Sequence, residues 1–423
     1  MYAAPGPAKL FGISILTYGI IFSAFADGAN GLGPHSTSTY LKPPAVVQCA
    51  PAPTSDFVVN VKDPMFGAVG DGLTNDTFAI QKAVNAVADS GGTVLVPAGN
   101  YLVNPVANSN AGIRLRNNMT MRFEAGAVLQ ALPTSTSNYV ILMVSGAQNV
   151  NILGGTIRGN RFNNTIRDTR EGGDGIHVAR SRHVFIQGVT SMDCWEDGFY
   201  IGEKAQDVTL CNVTANGNRR QGLSITSVDG LVVKGSTFKN TTGFMENGAF
   251  VCGSGTDIEP NRGQTVRNVQ FLGCTFSSNA TEGIAVGPSV ANRGRAFVEN
   301  VVIDGNAMIG NGLHHGAPGI TISNTSGHRV VNNKVKDNVG FGICLRNEAN
   351  DNIVKGNLVT NTKAALKNDG IGYGILLYKT AGNSVIGNTV SDNAACGIRD
   401  ASPSGINTIN SNRLKNNHPD TCP

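Results

Sequence analysis

The residues best suited to chemistry cluster around four glycines between positions 172 and 261. They are Asp174, His177, Trp195, Glu196, Asp197, Tyr200, Arg219, Arg220, Gln221, Asp257 and Glu259. The glycines are Gly175, Gly198, Gly222 and Gly255, separated by 23, 24 and 33 residues. Carboxyl groups can act as general acids and bases, guanidinium groups can bind a carboxylate, and aromatic rings can stack on a sugar. The cluster is therefore the candidate functional site.

The elements that must position these residues are short β-strands. Each glycine is followed by alternating apolar and polar residues, and a pattern that returns at this period is typical of a solenoid. Apolar residues one and three places after a glycine, such as Ile176 and Val178, are expected to face the core. His177, Tyr200 and Asp257 then face outward. Equivalent residues on stacked strands lie about 4.8 Å apart, so the segments are predicted to form one polar face over four coils.

An amphipathic helix is predicted shortly before the first strands. Asn75 or Asp76 can cap it, and its apolar face comprises Ile80, Ala83, Val84 and Val87. The segments GAVGDGLTND, AIQKAV and GGTVLVPAGNY around this helix resemble the N-terminal signature of the pectate-lyase-like right-handed parallel β-helix superfamily. That resemblance implies an all-β, right-handed parallel β-helix whose open end is covered by an N-terminal α-helix. Lyases, hydrolases, epimerases and phage tail proteins share this fold, so it leaves the activity open.

The termini and the composition favour an exported protein. Residues 1–26 are predicted to be a secretory signal peptide, with an uncleaved membrane anchor as the alternative. Residues 27–60 are predicted to form a linker or arm, and residues 61–423 the β-helix domain. We expect a secreted or periplasmic monomer without stable membrane association after signal cleavage. The net charge of +4 and the lack of a Lys/Arg run argue against a nucleic-acid partner.

The second half of the chain is rich in asparagine, and the eight cysteines of the whole chain are compatible with disulfides. Asparagines at equivalent turns can hydrogen-bond from coil to coil, so we expect them to be structural. Cys49 and Cys422 lie near the two ends and could tie down the terminal arms. No CxxC motif is present, and we expect no metal site.

The clustered carboxyl groups favour glycoside hydrolysis, which uses an acid and a base on either side of the scissile bond. Asp174 and Asp197 occupy equivalent positions on neighbouring coils, and Glu196 offers a further carboxylate. Close carboxylates repel, which keeps one proton available for an acid. His177 and Tyr200 could orient groups or relay protons. Arg219 and Arg220 suit a uronate held by paired hydrogen bonds.

The motifs DGIHV, WEDGFYI and RRQGLSIT resemble those of polygalacturonase-type hydrolases of glycoside hydrolase family 28. This resemblance implies that Asp174, Glu196 and Asp197 are the catalytic carboxylates, with Gln221 where the family has His. The same stretch is similar to the catalytic module of mannuronan C5-epimerases, which use Tyr, Asp and His on such a face.

We therefore expect an enzyme that hydrolyses an acidic polysaccharide. His177 would join the three catalytic carboxylates. The substrate-binding residues would be Trp195, Tyr200, Arg219, Arg220, Gln221, Asp257 and Glu259. A uronan lyase or C5-epimerase using the same site is the alternative reading. A non-catalytic polysaccharide-binding or structural β-helix is an alternative of another class. We expect no cofactor for hydrolysis, and Ca²⁺ is compatible with a lyase.

Overall fold

The structure is a computed structural model that describes residues 49–50, 56–88, 91–165, 172–246, 249–314, 316–365, 372–420 and 422. The predicted signal peptide and most of the predicted arm lie outside these residues, so both remain predictions. No helix among the described residues combines the length and the apolar character needed to cross a membrane.

Three long parallel sheets run side by side along the chain, and each coil contributes one strand to each sheet in turn. Sheet 1 contains Val58–Asn60, Thr93–Val96, Met119–Phe123, Gln148–Leu153, Arg182–Gln187, Ala205–Cys211, Val228–Lys234, Thr265–Leu272, Phe297–Asp304, Arg329–Val331, Ile353–Lys355, Ser384–Ile386 and Thr408–Asn410. Sheet 2 contains Asp71–Asn75, Gly99–Val103, Ala127–Ala131, Thr156–Arg158, Thr190–Met192, Thr214–Asn216, Thr237–Lys239, Thr275–Ser277, Ala307–Ile309, Lys334–Lys336, Leu358–Thr360, Thr389–Ser391 and Arg413–Lys415.

Sheet 3 carries the glycine-led segments. It contains Ala111–Leu115, Val140–Ser145, Asp174–Ala179, Phe199–Gly202, Leu223–Ile225, Thr256–Ile258, Ile284–Val286, Ile320–Ser323, Phe341–Arg346, Tyr373–Tyr378 and Ile398–Ala401. A small antiparallel hairpin, Phe244–Glu246 with Ala249–Val251, occupies the longer step before Gly255. A 3-10 turn covers Val290–Asn292. The predicted parallel β-helix is confirmed.

The core lies between the three sheets. The first apolar residue after each glycine in sheet 3 is fully buried at Ile176, Phe199 and Leu223, as the alternation predicts. These residues are paired in register from coil to coil. The tight corner between sheets 1 and 2 needs a left-handed backbone. Gly188 and Asn212 supply it on neighbouring coils, with φ of 66° and 51°.

Asparagine ladders follow the corners of the later coils. Asn333, for example, donates from Nδ2 to Asn357 Oδ1 at 2.9 Å and accepts the Asn306 amide at 2.9 Å. Asn388 and Asn412 continue the row. The prediction that the asparagines are structural is confirmed for these residues, because their amides satisfy buried backbone groups between coils.

The two ends of the solenoid are closed differently. The helix Thr77–Val87 covers the first coils, and all four predicted apolar residues on it are fully buried. Asn75 Oδ1 accepts the Thr77 amide at 3.2 Å, whereas the Asp76 carboxylate binds the amides of Val69 and Gly70. Disulfides join Cys49 to Cys211 and Cys396 to Cys422, so both terminal segments are tied to the coils.

Candidate active site

The outer surface of sheet 3 aligns the predicted site residues in register. His177 pairs with Tyr200, Tyr200 with Ser224, and Ser224 with Asp257, each on the next coil. Asp174, Asp197 and Gln221 each stand just before a glycine, and they form a second column beside the first. Direct contacts link most of the predicted residues into one network. The sequence therefore predicted the placement of the cluster, and the contacts show how its members are paired.

The first part of the network joins a carboxylate, an imidazole and a phenol. Asp174 Oδ2 lies 2.9 Å from His177 Nδ1, and the His177 ring stacks on that of Tyr200 with centroids 4.2 Å apart. The Tyr200 hydroxyl is hydrogen-bonded to Thr226 Oγ1 at 2.8 Å. Burial raises the pKa of Tyr200 to about 12, so its hydroxyl keeps its proton at neutral pH. This trio can orient and transfer a proton.

Asp197 connects the first three coils of the site. Its amide approaches Asp174 Oδ1 at 3.4 Å, and its own Oδ1 accepts the Gln221 amide at 3.0 Å. Its Oδ2 accepts Arg220 Nη1 at 3.0 Å, and Arg220 also donates to Ser224 Oγ at 3.2 Å. The guanidinium balances the charge of an ionised Asp197, so a carboxylate base can be maintained here.

Glu196 is as deeply buried as Asp197, and both carboxylates contact Arg220. Its side chain is 2% exposed and forms ion pairs with Arg219 and Arg220. Burial raises the pKa of Glu196 well above its ordinary value, and the two arginines act in the opposite direction. The two arginine partners favour a structural, charge-pairing role for Glu196, whereas the family resemblance implies a catalytic one.

Arg219 is held by aromatic rings as well as by Glu196. Its guanidinium carbon lies 4.1 Å from the Trp195 ring centroid and 4.0 Å from that of Phe244, in the hairpin. Its Nε donates to the Trp195 carbonyl at 2.6 Å. Arg219 was predicted to hold a substrate uronate, but in this structure its guanidinium binds protein groups. The Trp195 ring packs against this arginine as well.

Asp257 is the carboxyl group of the outward column. Gln221 Nε2 donates to Asp257 Oδ2 at 3.1 Å, and Gln221 Oε1 accepts the Ser254 amide at 2.7 Å. Burial and the nearby Glu259 raise the pKa of Asp257 well above its ordinary value, while Arg220 lowers it. Asp257 is thus suited to carry a proton at neutral pH. The sequence interpretation gave it only a substrate-binding role.

Sequence reasoning also missed Glu282 and Phe244. Glu282 is 2% exposed and accepts a hydrogen bond from Ser254 Oγ at 3.1 Å. It stands immediately before Gly283, as Asp174 stands before Gly175, so extending the glycine register by one coil would have found it. Phe244 lies in the insertion before Gly255, which the repeat pattern does not cover. Within the described ranges, no group of three or more His, Cys, Asp or Glu side chains is arranged to hold a metal ion.

Comparison with protein families divides the chain into two overlapping regions. Residues 58–285, more than half of the chain, match the family described as "Rhamnogalacturonase A/epimerase, pectate lyase-like". Residues 261–422 match "Periplasmic copper-binding protein (NosD)". The first match covers the helix and all predicted site residues.

A curated relative, the uncharacterized protein YclG of Bacillus subtilis, is 25% identical over 342 residues. That alignment covers 72% of this chain and 55% of YclG, so the chain spans about half the length of that relative. Among solved structures, the A-module of the Azotobacter vinelandii mannuronan C-5 epimerase AlgE4 has a TM-score of 0.60 at 19% identity. The match covers 83% of this chain and 99% of the A-module.

Two further structures share the fold. The Streptococcus pneumoniae surface adhesin PfbA has a TM-score of 0.62 at 16% identity, covering 85% of this chain and 92% of PfbA. The Yersinia enterocolitica Family 28 exopolygalacturonase has a TM-score of 0.51 at 16% identity, covering 87% and 79%. At these identities the similarities establish the β-helix architecture alone.

Proposed function

The chain belongs to the rhamnogalacturonase A/epimerase, pectate-lyase-like family, and from this premise we propose that it hydrolyses glycosidic bonds in an acidic, uronate-containing polysaccharide. The family and the shared fold support activity on a polysaccharide. The observation that carries the hydrolytic assignment is the linked set of carboxyl groups Asp174, Asp197 and Asp257 on the outer face of sheet 3. Their surroundings differ, which is the requirement for separate acid and base roles.

Hydrolysis would begin with proton donation to the leaving oxygen. Asp257 is suited to be this donor, because burial raises the pKa of its carboxyl group and so favours the protonated form. Asp197, charge-balanced by Arg220, would accept a proton from the attacking water as the water bonds to the anomeric carbon. Gln221 contacts both carboxyl groups: its backbone N–H donates to Asp197 and its side-chain Nε2 donates to Asp257. Asp174 and His177 would orient the remaining proton donors at the edge of the site.

C5-epimerisation or β-elimination of a uronan is the second candidate. It is favoured by the contact between Asp174 and His177 and by the stacking of His177 on protonated Tyr200. An oriented imidazole can remove the C5 proton, and inversion then requires the phenol to return a proton from the opposite face of the sugar ring. A calcium requirement for elimination remains a prediction. The third candidate function is binding without catalysis. It is compatible with the fold, which the surface adhesin PfbA shares with this chain.

We also propose that the protein acts outside the cytoplasm. Two disulfides at the ends of the solenoid favour an oxidising compartment. The match of residues 261–422 to a family described as periplasmic is consistent with this location.

Product analysis on polygalacturonate and polymannuronate tests the reaction. Hydrolysis is expected to generate reducing ends without ultraviolet absorbance from unsaturated uronates. Asp197→Asn should lower the rate at least about 100-fold, the lower range for losing a general base. Asp207→Asn is the matched control, because Asp207 is 67% exposed on sheet 1 and lies outside the site.

Three other outcomes would overturn the hydrolytic assignment. Ultraviolet absorbance would indicate elimination, and altered sugar NMR signals without new chain ends would indicate epimerisation. No product on either polymer, together with retained binding, would indicate a binding protein. Full activity of Asp197→Asn would refute the assignment of the catalytic base.

A further inference from the structure

We propose that the corner between sheets 3 and 1 binds a phosphate dianion, either free or as a monoester, at a site separate from the proposed active site. A groove of about 510 Å³ crosses neighbouring coils at this corner. The polar residues that define this corner groove are Gln148, Arg180, Arg182, Glu203, Lys204 and Gln206. The inference does not rest on the proposed hydrolysis.

The corner groove lies at the far ends of the sheet 3 strands that position the active site. Asp174 is the first residue of its strand, and Arg180 comes directly after the last. Six residues of extended chain separate these two, which corresponds to about 20 Å. A ligand in the corner groove therefore lies away from the carboxyl groups of the proposed active site and away from the outer face of sheet 3.

Small residues keep the corner groove open. Gly146 occupies the position on its coil that Arg180 and Glu203 occupy on the next two coils. A Cβ atom added to Gly146 would meet nothing within 4 Å. Ala147 and Ser181 also line the groove, and the Ser181 hydroxyl is occupied by the Ala179 carbonyl at 2.8 Å. An anion can therefore approach the longer polar side chains without displacing protein atoms.

Hydrogen-bond donors from three coils surround this space. Arg182 lies in register with Gln148 on the preceding coil and with Gln206 on the next. Arg182 Nε donates to Gln148 Oε1 at 2.8 Å, which occupies the acceptor of that side chain and leaves its amide hydrogens available. The side chains of Lys204 and Gln206 have no hydrogen bond or ion pair within the described part of the chain. Guanidinium, ammonium and amide donors are the groups that bind oxyanions.

The charge of the corner groove matches a dianion better than a single carboxylate. Arg180, Arg182 and Lys204 are cationic, and Glu203 is the acidic residue among the described lining residues, so the lining has a net charge of +2. Arg180 is paired with Glu203 at 2.5 Å, which leaves Arg182 and Lys204 as the cations without an acidic partner. A phosphate monoester has a charge of about −1.5 to −2 at neutral pH. The volume of the groove also falls within the range of about 300–1,000 Å³ that is typical of small-ligand sites.

Calorimetric titration of the whole protein tests this inference without relying on turnover. The probes are inorganic phosphate, β-glycerophosphate and glucuronate, in a phosphate-free buffer of slightly alkaline pH and low ionic strength, because salt screens exposed charges. The test variant is Arg182→Gln with Lys204→Gln. The control is Lys334→Gln with Lys355→Gln, which makes the same charge change at exposed positions on sheets 2 and 1. The single variant Lys204→Gln guards against misfolding, because Lys204 is exposed.

The parent protein is expected to bind both phosphates at least about tenfold more tightly than glucuronate, which has one negative charge. The test variant should bind the phosphates roughly tenfold more weakly than the control, and Lys204→Gln should show a smaller loss in the same direction. Tighter binding of β-glycerophosphate than of inorganic phosphate would support a phosphate ester as the ligand, and equal binding would support free phosphate.

Three results would overturn the inference. They are equal affinities for glucuronate and the phosphates, equal phosphate binding by the test and control variants, and failure of the parent protein to bind either phosphate. None of these results bears on the proposed hydrolysis, which product analysis tests separately.

Discussion

Replacing Glu196 with Gln tests whether this carboxylate has a structural or a catalytic role. The Glu196 side chain is 2% exposed, and its partners Arg219 and Arg220 are 13% and 14% exposed. Breaking one side of a buried ion pair costs about 3–5 kcal/mol. Arg219 would keep its contacts with the Trp195 and Phe244 rings, so we expect a loss near the lower limit, about 3 kcal/mol. The free energy of unfolding should fall accordingly in chemical denaturation.

The activity of the same variant is expected to respond differently. Glu196→Gln should retain kcat/KM within about tenfold of the parent, since no proton transfer depends on it. Asp197→Asn should lose most activity, and its unfolding midpoint should fall as well, because Asp197 is 2% exposed and loses its ion pair with Arg220, although Asn can still accept the Gln221 amide. A Glu196→Gln protein with native stability and no activity would refute this reasoning. Glu196 would then be catalytic, as the family resemblance implies.

Two further predictions concern a pH dependence and the frame of the solenoid. The pKa of Asp257 is raised, so its stabilising effect is complete below the ordinary Asp pKa and is lost as pH rises through the raised value. Activity that needs protonated Asp257 should fall over the same upper range. Asp257→Asn should abolish that alkaline limb in a pH–rate profile and raise stability at alkaline pH; an unchanged limb would contradict the assignment. Asn333→Ala should cost about 2–4 kcal/mol in denaturant unfolding, because buried groups such as the Ile303 carbonyl lose their partner. Exposed Asn261→Ala is the control, and equal losses in both variants would contradict a special role for the ladder.

The fold could be predicted because its signals are local and repeated. The alternation after Gly175 and Gly198 specifies strands, and the equivalent positions of Ile176 and Phe199 specify how the strands stack. The helix Thr77–Val87 follows from its spacing of apolar residues in the same way. These patterns determine which residues share a column, so the sequence also predicted that His177, Tyr200 and Asp257 would align.

The roles within the site could not be predicted because they depend on contacts across coils. Glu196 and Asp197 are neighbours in sequence and equally buried, yet Glu196 pairs with both arginines, whereas Asp197 pairs with Arg220 and also accepts the Gln221 amide. The raised pKa of Asp257 depends on burial and on Glu259, neither of which follows from residue type. The residue pattern of the sequence also does not determine the reaction type, because hydrolysis, elimination and epimerisation use the same kinds of side chain.

The regular spacing of the coils leads to a prediction about stereochemistry. Asp174 and Asp197 occupy equivalent positions on neighbouring coils, about 4.8 Å apart, whereas Asp197 and Asp257 lie two coils apart and Asp257 is also displaced along its strand, so the second pair is the more widely spaced. Carboxyl separations of roughly 5–5.5 Å accompany retention, and roughly 6.5–9.5 Å accompany inversion. Because burial raises the pKa of Asp257, we expect it to act as the acid opposite Asp197 and the product to be inverted. NMR of the first anomer released measures this outcome directly. Retention would instead assign the pair to Asp174 and Asp197, and would leave Asp257 with the substrate-binding role that the sequence predicts.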